Sequence, residues 1–166
     1  MPLGSAETLS LAGMMGAGKT TVARELGRLL RRTVVSTDAR IEALAGKAIP
    51  EIFAEDGELA FRRLEREVVG SLSGPLVLDL GGGAFCDPEN AERLLRLGKV
   101  VFLDVSPIEA RRRIGSGAGR PLGPRWDELL ASRLRLYRRA HLSVAVNGLS
   151  AGAVARRILG LLGTIP

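Results

Sequence analysis

Residues 13–20, Gly13-Met14-Met15-Gly16-Ala17-Gly18-Lys19-Thr20, match the pattern G-x-x-x-x-G-K-S/T at every specified position. In that pattern successive backbone N–H groups cradle the α- and β-phosphates of a nucleotide. The lysine reaches the β- and γ-phosphates, and the last hydroxyl is offered to Mg²⁺. Here Lys19 and Thr20 would take those roles, with Gly16, Ala17, Gly18 and Thr21 beside the phosphates. The flanks agree. Thr8-Leu9-Ser10-Leu11-Ala12 reads as a short strand feeding the loop, and Val22, Leu26, Leu29 and Leu30 recur at helical spacing between Lys19 and Leu30. The positive end of that helix would face the anion.

The rest of the chain alternates in the same way. Thr33 to Ser36, Leu76 to Leu80, Val100 to Val105 and Leu142 to Val146 read as four further strands. Between them, helices are expected from Ile49, from Gly57 to Leu72, from Pro88 to Leu97, from Pro107 to Ile114, from Trp126 to Arg139 and from Ala151 to Leu162. On the Gly57–Leu72 helix, Leu59, Phe61, Leu64, Val68, Val69 and Leu72 are the expected inward residues. Such alternation implies an α/β fold, a parallel sheet with helices on both faces. Ligands then sit at the carboxyl ends of the strands. Residues 13–20, Ser36 to Asp38 and Gly81 to Gly83 all follow strands and share that edge. Residues 115–124 hold four glycines and two prolines and cannot keep a helix or strand, which fits either a lid or a plain surface loop.

Composition narrows the classes. At 166 residues, 46% hydrophobic and 25% charged, the chain is expected to be one domain over residues 1–166. No uncharged apolar run reaches the roughly 18 residues of a membrane span, and no basic segment precedes the first apolar stretch, so neither membrane anchor nor signal peptide is expected. Cys86 is the single cysteine, which excludes an internal disulfide and suits a reducing cytoplasm. Residues 1–105 carry 13 basic and 15 acidic side chains, whereas residues 106–166 carry 11 basic and 3 acidic. A basic half can signal nucleic acid. Aromatic content of only 4%, and the predominance of Arg over Lys, instead favour small anionic ligands held by guanidinium forks.

Several stretches carry a resemblance when read in order. They are the phosphate loop, Thr37-Asp38 with Ile41-Glu42, and Ile52-Phe53-Ala54-Glu55-Asp56-Gly57-Glu58 followed by Phe61-Arg62-Arg63-Leu64-Glu65. After them come Gly81-Gly82-Gly83-Ala84, Arg120-Pro121-Leu122, and Arg133 four residues before Tyr137. Together they resemble the shikimate kinases, small members of the nucleoside-monophosphate-kinase-like P-loop fold, over nearly the whole chain. The resemblance implies a three-layer α/β/α fold, a five-stranded sheet in the order 2-3-1-4-5, and a lid near residues 115–124.

It also implies an ATP- and Mg²⁺-dependent kinase that phosphorylates the 3-hydroxyl of shikimate, acts in the cytoplasm as a monomer, and binds neither nucleic acid nor membrane. Arg62 and Arg133 would clamp the substrate carboxylate, and Asp38 would receive the substrate hydroxyls as base or orienting group. Gly81, Gly82 and Gly83 would let the ring approach the backbone. Arg120 would reach the γ-phosphate from the lid, and Arg113 would lie over the adenine, with 147–150 passing along the base. Plainer readings stay beside these. Asp38 is also a candidate helix N-cap, and Phe53 and Phe61 suit core as well as pocket wall. Cys86 and His141 read as structural. The family pattern Asp-x-Asp is here Ser36-Thr37-Asp38, so Asp79, ending strand three, is expected to supply the missing metal carboxylate beside Thr20; otherwise it faces away and caps backbone. The alternatives to shikimate kinase are a related small-molecule kinase, such as a gluconate kinase, and a catalytically silent nucleotide-binding regulator.

Overall fold

Each apolar run becomes a strand: β1 (Thr8–Ala12), β2 (Val34–Ser36), β3 (Val77–Asp79), β4 (Gly98–Asp104) and β5 (Leu142–Ala145). The computed structural model describes residues 2–114 and 125–164. Within them the strands pair in the order β2-β3-β1-β4-β5, every pairing parallel. The central β1 and β3 are buried along their whole length, as a parallel strand covered on both faces must be. The edge strands β2 and β5 expose residues. Helices cover both sides of the sheet. No described helix is long and apolar enough to cross a membrane.

The helices are α1 (Lys19–Leu30), α2 (Thr37–Ala45), α3 (Ile49–Glu55), α4 (Gly57–Ser71), α5 (Pro88–Leu97), α6 (Pro107–Ile114), α7 (Trp126–Tyr137) and α8 (Ala151–Leu161). The buried apolar side chains of the sheet, α1 and α8 form one large core. A smaller cluster of Ile41, Ile52, Phe61 and Val68 ties α2, α3 and α4 to each other. That cluster is what seats Arg62, because burying Phe61 and Val68 turns the neighbouring face of α4 toward the strand ends.

Local departures from the sequence reading have simple causes. Ladder pairing in β3 covers only Val77–Asp79, although the Leu80 N–H still donates to the Leu11 carbonyl at 3.2 Å. Strand β4 begins two residues earlier than expected, at Gly98, where it pairs with Thr8. Leu59 does not point inward; it is 77% exposed. At 100° per residue it stands across the helix from Phe61, and the buried stripe is completed by the acid Glu65. Ser36, rather than Asp38, is the N-cap of α2: its hydroxyl accepts from the Ala39 N–H at 3.2 Å. Asp38 thereby falls in the first turn, where its charge meets the positive helix end. The expected lid over 115–124, with Arg120, lies outside the described residues.

Candidate active site

The phosphate loop is built by the strand–turn–helix step from β1 to α1. Gly16 and Gly18 take φ of 87° and 85°, a left-handed conformation that lets the loop turn back over the start of α1. Lys19 folds across its own loop, donating to Gly13 O at 2.7 Å and Met14 O at 3.2 Å. The Thr21 hydroxyl points to Gly18 O at 3.4 Å. Arg113, from α6, donates to Ala17 O at 3.1 Å and to Val146 O at 2.8 Å, so it braces the loop against the end of β5. Glu109, one turn earlier, receives both Arg112 and Arg113, and these two cations hold its carboxyl well below the ordinary value, at about 2.

Asp79 points at the loop. Its Oδ2 accepts the Thr20 hydroxyl at 2.7 Å, and it stands in register with Leu11 of β1 and Ser36 of β2. A carboxylate at the end of a buried strand beside the loop hydroxyl is the arrangement by which P-loop enzymes hold Mg²⁺. Ser36 turns to its capping role instead. Among the described residues no cluster of three acids, histidines or cysteines forms a closed metal cage. The Thr20–Asp79 pair nonetheless suits Mg²⁺, which keeps several waters and takes only one or two carboxylates alongside phosphate oxygens.

Opposite the loop, the triple glycine becomes a floor on which three side chains converge. A Cβ on Gly81 would collide with Asp38 Oδ1, one on Gly82 would stand 3.3 Å from Arg133 Nη1, and one on Gly83 would stand 2.6 Å from Arg62 Nη1. A Cβ at Gly81 or Gly83 would force Asp38 or Arg62 to shift, whereas at Gly82 it would crowd the end of Arg133 only slightly. Arg62 is held by Glu65 at 2.8 Å and more loosely by Glu58 at 3.5 Å. Burial opposes the Arg62 cation, yet these carboxylates keep its pKa above the ordinary value. Burial also pushes the Glu65 carboxyl up, against the pull of Arg62, and its Oε2 finds no hydrogen-bond partner among the described residues. Phe53 and Phe61 meet with ring centroids 4.7 Å apart and planes tilted by 33°, Phe61 buried and Phe53 exposed, and both line the cleft. Phe61 is core and wall at once, whereas Phe53 is wall alone.

One cleft of about 1260 Å³ takes in the phosphate loop, Asp38, Arg62, Asp79, Gly81 to Gly83, Arg113 and Arg133. Gly148, Leu149 and Ser150 line it as well. Residues drawn from several strand ends and helices therefore face a single space. The sequence reading assigned no role to Thr37, Glu65, Glu109, Trp126 or Tyr137. Thr37 is buried and accepts the Gly81 N–H at 2.9 Å, fixing the floor to the start of α2. Trp126 donates its indole N–H to Met15 O at 3.1 Å, and the Tyr137 hydroxyl donates to Gly82 O. The Arg62–Glu65 spacing of one helical turn was a readable signal; nothing in the sequence marks the indole contact. His141 accepts the Val100 N–H at 3.0 Å and is structural, as expected.

The sequence model of the shikimate kinases matches residues 15–162. The chain belongs to the shikimate kinase family. Relatives in this family include the shikimate kinases of Mycobacterium avium, 44% identical with 92% of this chain and 91% of the relative covered, and of Thermus thermophilus, 42% identical with 91% and 87% covered. Among solved structures, the shikimate kinase of Acinetobacter baumannii in complex with shikimate superposes with a TM-score of 0.88 at 38% identity, covering 94% of this chain and 92% of that one. The Sinorhizobium meliloti gluconokinase reaches a TM-score of 0.60 at 16% identity, covering 95% of this chain and 91% of that one, a likeness of fold alone. Membership in the shikimate kinase family makes the protein an ATP-dependent phosphotransferase acting on a hydroxyl group.

Proposed function

We propose that the protein transfers the γ-phosphate of ATP to the 3-hydroxyl of shikimate, and that residues 1–166 serve this as one kinase domain. The observation that carries this reading is the convergence of Arg62 and Arg133 on Gly83 and Gly82, in the cleft that also holds the phosphate loop. Two guanidinium groups over a floor of backbone suit a planar carboxylate on a small ring, because each offers a fork of donors that a lysine lacks. The gluconate alternative finds no comparable support beyond the shared fold.

In this reading Arg62 and Arg133 bind the carboxylate and thereby orient the ring. Glu65 holds Arg62 in place. Asp38 accepts the hydroxyl to be phosphorylated and either takes its proton or aligns it. The N–H groups of residues 16–21 and the Lys19 ammonium receive the phosphates, while Arg113, fastened to Ala17 and Val146, borders the nucleotide's base end. Thr20 and Asp79 would hold Mg²⁺, which supplies neutralising charge to the β- and γ-phosphates when bound. Arg120, outside the described residues, would add positive charge at the γ-phosphate. Because phosphoryl transfer asks the protein mainly for positioning and charge stabilisation, these roles suffice without a covalent intermediate on the enzyme.

The test is ADP release by the purified protein in a coupled assay, with shikimate, gluconate and nucleoside monophosphates offered in parallel. Turnover with shikimate alone is expected. Turnover confined to gluconate or a nucleoside monophosphate would overturn the reading, and silence with all three would favour a regulatory nucleotide-binding role.

A further inference from the structure

Tyr137, the last residue of α7, is fully buried, and it is the only tyrosine in the chain. Its ring stacks on Phe102 of β4, with centroids 4.9 Å apart and planes 12° apart. Phenylalanine would serve that packing equally well. The hydroxyl is where the residue becomes informative: it donates to the Gly82 carbonyl and lies 3.5 Å from Met14 Sδ in the phosphate loop. Thioether sulfur is a weak acceptor, so the single phenolic proton belongs to Gly82. Burial raises the phenol's pKa above its ordinary value, which favours the protonated, donating form. Gly82 also borders Arg133 and the phosphate loop: a Cβ there would stand 3.3 Å from the end of the Arg133 side chain and at an ordinary contact distance of 3.9 Å from Gly13 O. Arg133 sits one helical turn before Tyr137, on the same face of α7. One buried hydroxyl thus touches the acceptor floor and the phosphate loop together, on the helix that carries half of the carboxylate clamp.

We propose that Tyr137 is a positioning residue for phosphoryl transfer: through the Gly82 carbonyl it sets the triple-glycine floor, and the acceptor resting on it, at a fixed separation from the phosphate loop. The inference rests on the shikimate kinase reading above. In-line transfer demands that the attacking oxygen and the phosphorus be held near contact, and small misplacements are costly even when neither partner is lost. Side-chain packing alone would hold α7 against β4. The hydroxyl adds a direct hydrogen bond from that helix to the floor, alongside the approach of Arg133 to Gly82.

The test is Tyr137→Phe, which keeps the ring and its stacking. With shikimate as acceptor, kcat/KM should fall about tenfold, the scale of one buried carbonyl left without its donor, while the KM for ATP stays within about twofold. Unchanged kcat and shikimate KM with a lowered Tm would show a merely structural tyrosine and overturn the proposal, as would equal rises in both KM values. A second measurement avoids the variant altogether. Growth on 3-fluorotyrosine labels position 137 alone, and its ¹⁹F resonance should shift when shikimate is added without nucleotide. A resonance indifferent to saturating shikimate overturns the proposal. Wild-type turnover, measured alongside, separates the two ideas: an inactive wild type sinks the shikimate reading, whereas an active wild type with an equally active Tyr137→Phe sinks only the positioning role.

Discussion

Arg62 and Arg133 reach the triple glycine from different helices, and each is placed by something other than its own charge. Arg62 is aimed by Glu65, an acid kept on the buried stripe of α4. Arg133 is aimed by its position one turn before the buried Tyr137. Removing either fork should leave a substrate carboxylate poorly matched, so Arg62→Ala or Arg133→Ala is expected to weaken shikimate binding by about 2–5 kcal/mol and to spare ATP. Steady-state KM values for the two substrates decide this; wild-type shikimate KM in both variants would refute the clamp. At the other end of the cleft, Asp79 holds the place beside Thr20. Asp79→Ser should raise the Mg²⁺ requirement of kcat and weaken Mn²⁺ binding to the ADP complex, read by electron paramagnetic resonance. Ser36→Asp added to that variant should restore part of both, since aspartate caps a helix as well as serine and leaves α2 intact. Unaltered Mn²⁺ binding in Asp79→Ser would remove Asp79 from the metal site.

Helix α6 shows how an element can serve the site without entering the chemistry. Its last turn presents Arg111, Arg112 and Arg113, and Glu109 gathers two of them. This leaves Arg113 stretched between Ala17 and Val146, joining the phosphate loop to β5. Since Glu109 titrates at about 2 in the folded chain against an ordinary 4.5, its contribution to stability is present above pH 4.5 and is lost as pH falls toward 2. Glu109→Gln should therefore flatten the fall of Tm over that acid window, with little change at the same pH values in a variant of a distant exposed acid. An acid slope identical to wild type would show that the pairing is not retained in solution.

For the molecule as a whole, the cleft joins residues from both the large core and the separate cluster under α2, α3 and α4. Ligand binding should consequently stabilise the entire chain by mass action. Shikimate at a hundredfold excess over its Kd is worth about 2.7 kcal/mol. At roughly 2–4 °C per kcal/mol for a domain of this size, that is a Tm rise of about 5–11 °C. Arg62→Ala should abolish the rise given by shikimate and keep that given by ADP. A full shikimate response in Arg62→Ala would count against the placement of the substrate.

The sequence by itself determined the sheet, its helices and the phosphate loop, because these depend on local periodicity and on a contiguous motif whose chemistry is read from one short stretch. The order of motifs also singled out Arg62, Arg133 and Asp38, which the structure brings to one cleft, and it raised Asp79 as a candidate partner of Thr20. What only the tertiary structure decided was which groups face one another across the strand ends. Asp38 read as the candidate cap of α2 until the backbone gave that place to the Ser36 hydroxyl. Asp79 could have turned either way until β3 settled in register between β1 and β2. Leu59 looked like core by helical spacing, but the helix phase is set by what α4 packs against, and Glu65 takes the buried place with Arg62 as its ion-pair partner. Trp126 gave no local sign, and Tyr137 stood only as part of a motif with no role of its own, since each hydrogen-bonds a backbone carbonyl distant in sequence, and such contacts exist only once the elements have packed.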